Sequence, residues 1–253
     1  MSNSRFDPSR LDAISSRWTL LQRAHQGSTT SAQEARNTLV LRYLPAARRY
    51  VEALMQNKQD AEDLVQDLVV RLLAGDFAGA DPQRGRFRDL LKVAIRNMVH
   101  NYWSRSNRRR HVDIDLDIFA AETANENDDA WLAAWRGSVL DLAWKALQKE
   151  EETRAGTMPY TLLRLRTAHP GDTSERLAER LSKKMGKAVR ADAVRQQLRR
   201  ARLRFADLLI SEIADNFDEP TPERIEDELV ALGLLDFVRE LLPASAEPPA
   251  QPE

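Results

Sequence analysis

The thirteen residues AVRQQLRRARLRF, Ala193 to Phe205, hold five arginines. At about 100° per residue on a helix, Val194, Leu198, Ala201, Phe205 and Leu208 share one narrow sector and form a core stripe. Arg195, Arg199 and Arg202 lie together on an adjacent face, with Asp192, Gln196 and Arg200 further round. A face built only for solubility mixes signs, with glutamates four residues from arginines. This one pairs arginines with Gln196 and Gln197 instead. A guanidinium makes bidentate contacts to a guanine edge or a phosphate, and a glutamine amide matches adenine, which is the chemistry of a helix in a major groove. Arg202 and Arg204, near the far end, are expected at phosphate or solvent. The plain alternative is a solvated helix surface.

Two further stretches carry chemistry. In DAEDLVQDLVVRLL, Asp60 to Leu73, the residues Leu64, Leu68 and Leu72 join Val65 and Val69 in a broad apolar face. Asp63, Gln66, Asp67 and Val70 lie on the other side, within reach of a partner. In FRDLLKVAIRNMVHNYWSRSNRRR, Phe87 to Arg110, Tyr102 and Trp103 are interleaved with arginines. Stacking rings beside cations suit single-stranded or unstacked bases. The alternative there is a core aromatic pair that the arginines merely cover.

Composition narrows the chemistry further. The 253 residues include no cysteine, so disulfides, thiol catalysis and zinc-thiolate sites are excluded. His25, His100, His111 and His169 lie far apart, and no phosphate-binding glycine loop or nucleophile motif is present. No enzymatic activity, cofactor or metal site is therefore expected. No apolar run is long enough to cross a bilayer, and MSNSRFDPSR lacks a signal-peptide core, so a cytoplasmic protein without membrane attachment is expected. The formal net charge of −1 hides local asymmetry. Arg84 to Arg110 sets nine basic residues against Asp89 alone, Asp113 to Asp129 holds seven acids without a base, and Arg190 to Arg204 is basic again. Two polyanion-facing modules joined by an acidic linker would have this pattern.

Helical periodicity recurs throughout, and sustained alternation is absent. The expected fold class is all-α, with two helical domains joined by an acidic linker, the second a helix-turn-helix domain. The expected boundaries are 10–110, a linker at 111–130, 131–215, an extension helix at 220–243 and a disordered tail at 244–253. Helices are expected from Trp18 to Gly27, from Ala32 to Met55 with a kink or break at Pro45, and from an Asp60 N-cap to Gly75. Others are expected over Phe87–Arg105, over a tryptophan-bearing segment (Trp131, Trp135, Trp144), over Tyr160–Ala168 and from an Asp172–Glu175 capping box to Gly186. The last two run from Ala191 to Ala214 and from Pro222 to Leu242.

The three stretches, in this order, resemble bacterial RNA polymerase sigma factors of the small two-domain extracytoplasmic-function group of the sigma-70 family. The likeness covers about residues 33 to 212, and SRWTLLQRAHQG and DPQRGRFRDLL are similar to planctomycete-type variants. The resemblance implies that Asp63, Gln66 and Asp67 contact the clamp coiled coil of the polymerase β′ subunit. It implies that the loop Asp76 to Arg86 captures a flipped base of the minus-ten element, and that Arg96, Asn97, His100 and Asn101 help melt and hold it. Arg190, Arg195, Gln196, Arg199 and Arg200 would read the minus-thirty-five duplex. The implied partners are core RNA polymerase, promoter DNA, and an anti-sigma factor or regulatory kinase.

Three features depart from the family pattern. Seven residues separate Leu181 from Val189; Val69, Val70 and Leu73 stand where aromatics are common; and Pro222 to Leu242 extends past the usual end. That extension reads as a packing helix, or as an autoinhibitory or regulator-binding one. The competing functions are a helix-turn-helix regulator that binds duplex DNA without being a polymerase subunit, and a helical scaffold without a nucleic-acid role.

Overall fold

A computed structural model describes residues 29–77, 86–110, 124–154, 156–217 and 220–239. Among the described residues it is all-α, as expected, with helices α1 (Thr29–Leu54), α2 (Lys58–Ala74), α3 (Phe87–Arg110), α4 (Ala124–Thr153), α5 (Pro159–Ala168), α6 (Ser174–Met185), α7 (Ala191–Ala214), α8 (Pro222–Ala231) and α9 (Leu235–Arg239). The helix expected at Trp18 to Gly27, most of the loop Asp76 to Arg86, the first part of the acidic stretch and the tail lie outside the described residues.

Local chemistry sets most of the ends, and it corrects several expectations. Pro45 neither ends nor splits α1, which continues to Leu54. An internal proline costs about 3 kcal/mol, but Tyr43, Ala46, Ala47 and Tyr50 around it are almost completely buried, and their packing outweighs that cost. The N-cap of α2 is Asn57 rather than Asp60: its Oδ1 accepts from the Gln59 backbone N–H at 2.8 Å, and Asp60 falls in the first turn. Gly75 closes α2 with φ +95°, in the left-handed region that glycine enters without a Cβ penalty. For α6 the cap is Thr173, whose Oγ1 accepts from Arg176 N–H; Asp172 is paired with Arg180 at 2.6 Å. The expected final helix is broken by Gly233 at φ +61°, which separates α8 from α9.

Two compact units emerge from packing. The first comprises α1, α2, α3, α4 up to Val139, and Ile213–Leu232, which carries the end of α7 and α8. The second comprises α4 from Leu140, α5, α6, α7 up to Glu212, and the chain from Gly233 through α9. Residues 213–232 thus belong by packing with the N-terminal helices.

Aromatic rings fill the first unit. Tyr43 stacks on Trp135 at 5.6 Å and meets Phe87 edge-on at 4.7 Å, while Tyr50 meets Trp131 at 5.1 Å. Both tryptophans are at most 2% exposed, so the first half of α4 is a core element here. Such pairs add ~0.5–1.5 kcal/mol each beyond the burial of their surface. In the second unit Trp144 packs on Phe205 at 4.6 Å and Phe205 on Phe237 at 6.1 Å, with the Arg164 guanidinium 4.6 Å above the Trp144 ring.

Candidate nucleic-acid and protein interfaces

On α2 the apolar face is buried through Ala61, Leu64, Val65, Leu68 and Leu72. The amphipathic period therefore leaves Asp63, Gln66, Asp67 and Val70 on the outside, and all four are exposed. Arg48 of α1 grips Glu62 through both guanidinium nitrogens, which locks α2 against α1 and orients that outer face. The hydrogen bond from Arg48 holds the Glu62 carboxyl below its ordinary value. Asp67 accepts from Arg71 one turn on, at 3.2 Å. The result is a surface that is acidic at Asp63, apolar at Val70 and internally paired at Asp67.

Across α3, Phe87, Leu91, Ile95, Met98 and Val99 face the core. Val93, Asn97, His100 and Asn101 fall on the opposite side and are exposed, with half-buried Ser104 in the same sector. The amides of Asn97 and Asn101 and the ring of His100 give this face the hydrogen-bonding groups that base edges also carry. Arg96 sits at its edge, 4.0 Å from Asp128, and Lys92 pairs with the same carboxylate at 2.9 Å. Tyr102 and Trp103 meet edge-on at 5.8 Å and are both half-buried, so neither is sealed in the core. A cleft of about 160 Å³ joins α2 and α3, lined by Asp63, Asp67 and Arg71 on one side and by Asn101, Tyr102 and Arg105 on the other. The α2 surface and the α3 polar face are therefore contiguous.

Arg86 has a different setting. Its Nε donates to Asp89 at 3.1 Å and its Nη1 to Glu228 of α8. The neighbouring Arg88, 4% exposed, reaches the same Glu228 carboxylate at 2.8 Å. Glu228 is completely buried; burial pushes its carboxyl up and the Arg88 guanidinium down, while each partner's charge opposes the shift of the other. Neither Arg88 nor Glu228 was singled out in the sequence. The signal was present: Glu228 falls in the sector of Ile225, Leu229 and Leu232, an ionisable residue on the apolar stripe of α8.

In the second unit a short turn joins α6 to α7. The long spacing between Leu181 and Val189 is partly helix, since α6 runs to Met185, and Gly186 then turns the chain with φ +66°. Ser182 fixes the rest of the turn: its Oγ donates to Ala178 O at 2.7 Å and accepts from Val189 N–H at 2.9 Å. Val194, Leu198, Ala201 and Phe205 are buried as expected, but the stripe continues through Leu209, while Leu208 is half-buried. Arg190, Arg195, Gln196, Gln197, Arg199 and Arg200 are all exposed. Asp192 pairs locally with Arg195 and lies 3.9 Å from Arg190; Arg199 and Arg200 have no ion pair with the described residues. Arg204 keeps 36% of its side chain exposed and is ion-paired. It clasps both carboxylate oxygens of Glu150 in α4, with Nε to Oε2 at 2.8 Å.

Among the described residues, no three His, Asp or Glu side chains cluster as metal ligands would, and no helix is long and apolar enough to cross a membrane. No curated protein and no solved structure matches the chain. One family does: residues 39–109, from Leu39 in α1 to the end of α3, match the family model Sigma-70 region 2, and the chain carries a sigma-70 region 2 domain there.

Proposed function

We propose that the chain is a sigma factor of the extracytoplasmic-function group, of the planctomycete-like kind, that recruits core RNA polymerase and opens promoter DNA in the cytoplasm. The observation that carries this reading is the coincidence of the region 2 match with two exposed faces of one unit. These are the acidic and apolar side of α2 and the asparagine-rich side of α3. Asp63, Gln66 and Asp67 contact the β′ clamp coiled coil, where carboxylates attract a basic partner and Val70 adds buried apolar area. Asn97, His100 and Asn101, flanked by Arg96 and Tyr102, hold the unstacked minus-ten strand.

The second unit acts as the region 4-like module. Arg190, Arg195, Gln196, Arg199 and Arg200 enter the major groove of the minus-thirty-five element, in the manner of a recognition helix. The test is run-off transcription with purified core polymerase on a genomic library. Transcripts that start at discrete sites only when the chain is added are expected. Duplex binding with no polymerase association would instead make the protein a helix-turn-helix regulator.

A further inference from the structure

The region 2 match ends at residue 109, yet the unit built around it is completed by residues 213–232, more than a hundred positions downstream. Asp215 accepts from Arg42 of α1 at 2.6 Å, and the Leu232 carbonyl accepts from Arg136 of α4 at 3.2 Å. Ile225, Leu229 and Leu232 are each at most 1% exposed. Between these anchors Glu228 enters the core and meets Arg86 and Arg88. The cluster of Arg86, Arg88, Asp89 and Glu228 sets two guanidinium groups against two carboxylates, so its formal charge is zero. Arg86 is the last residue of the loop Asp76 to Arg86, and its side chain keeps 35% exposure. It is the member of the cluster that a phosphate can reach; Arg88 is not.

We propose that α8 is an autoinhibitory strap: the Glu228 carboxylate occupies Arg86 in place of a DNA phosphate and so holds back the basic surface at the end of the promoter loop. This rests on the reading of the first unit as a DNA-holding module. A carboxylate and a phosphate compete for the same guanidinium fork. A nucleic acid or regulator that draws Arg86 away from Glu228 leaves Arg88 carrying the buried pair alone. Opening of the Glu228–Arg86 contact is therefore coupled to DNA engagement, while α8 stays packed through Ile225, Leu229 and Leu232.

The test measures binding of a fluorescent single-stranded DNA oligonucleotide of mixed sequence to the full chain, without polymerase, over a range of salt. Glu228→Gln keeps the shape and removes the charge. It should bind several-fold tighter at low salt, with a log–log salt slope steeper by about 0.7 for the phosphate gained. Adding Arg86→Ala to Glu228→Gln should cancel that gain. Should Glu228→Gln fail to fold, Arg88→Met with Glu228→Met removes both buried charges, fills the site with apolar volume and still frees Arg86. Unchanged affinity in the folded variant, or a gain that survives Arg86→Ala, overturns the strap. A gain in DNA binding with no promoter-specific transcription leaves the strap standing and sinks the polymerase reading. No DNA binding by any variant sinks both.

Discussion

Helices α3 and α7 are the two arginine-rich helices of this chain, and they treat their charges in opposite ways. At the start of α3, Arg86 and Arg88 are drawn to Glu228, and Lys92 and Arg96 to Asp128, partners supplied from far along the chain. On α7, Arg199 and Arg200 have no ion pair with the described residues, and Arg195 pairs with Asp192, three residues away. Arg204, at the inner end of the stretch, is held by the distant Glu150 carboxylate. Counting basic residues therefore measures what a helix could attract, while tertiary carboxylates decide what it still offers. On α3, Asn97, His100 and Asn101 are left at the surface together with Arg105, and on α7 Arg195, Arg199 and Arg200 are. The proposed division of labour, bases out of the stack for one unit and a duplex for the other, rests on this difference.

The largest effect should come from breaking the long-range side of this contrast. Deleting the chain from Ile213 onward removes the helix that supplies Arg88 with the Glu228 carboxylate. It also removes Ile225 and Leu229, each worth roughly 1.5–3 kcal/mol. Those losses rival the whole stability of a typical domain. The truncated protein should lose cooperative melting of the first unit, seen as loss of near-ultraviolet circular dichroism from Trp131 and Trp135. A soluble truncation with an unchanged melt would mean that α8 is peripheral.

Next in size is the core of the second unit. Phe205 is 3% exposed and bridges Trp144 and Phe237, so Phe205→Ala should destabilise by roughly 3–5 kcal/mol in chemical denaturation. Arg199→Ala and Arg200→Ala, a turn away, should leave stability unchanged within about 0.5 kcal/mol. Equal destabilisation by all three would erase the distinction between stripe and face.

What could be read in the sequence follows the same line between local and distant. The α7 stripe and its bounds, Gly75 and Gly186 as stops, and the outer face of α2 all depend on helical period and on residues within one turn. They were legible for that reason. Asn57 and Thr173 each have an acidic residue nearby that is also a good cap, and side-chain preference alone does not rank two such candidates. The continuity of α1 through Pro45 depends on burial of Tyr43 and Tyr50 against α3 and α4, which no local rule contains. The same holds for the carboxylate partners of Arg86, Arg88 and Arg204. Glu228 was the exception: its place on the apolar stripe of α8 announces a buried charge, though not which arginine answers it.

At the surface, the contrast is sharpened by charge and amide changes that leave the core alone. Asp63→Lys with Asp67→Lys should weaken association with core polymerase by more than about tenfold, since like charges across an interface cost several kcal/mol. Melting should be unaffected, because both side chains are exposed. Asn97→Ala should slow promoter opening, read by permanganate reactivity of thymines, more than it weakens closed-complex binding. On α7, Arg199→Ala should reduce the duplex salt slope by about 0.9 if it meets a phosphate. Gln196→Ala should cost about 1–3 kcal/mol on the cognate element and little on scrambled DNA if it meets a base edge. Arg195→Ala should have the smaller salt effect of the two arginines, because Asp192 already compensates part of its charge. Identical, sequence-independent losses for all three would assign the whole face to phosphates.

The smallest effect separates the units by pH. In the second unit the Arg204 hydrogen bond holds the Glu150 carboxyl below its ordinary 4.5, against the opposing pull of burial. A lowered folded value means that the unfolded chain takes up the proton first. The Glu150–Arg204 clasp therefore stabilises above 4.5 and loses that contribution as pH falls below it. Glu228 in the first unit is shifted upward by burial, so its folded form takes up the proton first, and the cost of burying its charge is relieved as pH falls from its raised value toward 4.5. Glu150→Gln should flatten the acid loss of stability in α7, by less than about 1 kcal/mol because the pair is partly screened by solvent. Glu228→Gln should remove a term of the opposite sign in α8. Hydrogen exchange followed by mass spectrometry on peptides from α7 and α8, between pH 3 and pH 7, reads the two helices separately. If Glu150→Gln leaves the acid response of α7 unaltered, Arg204 is an open cation after all, and the difference between the two helices narrows to the cluster around Glu228.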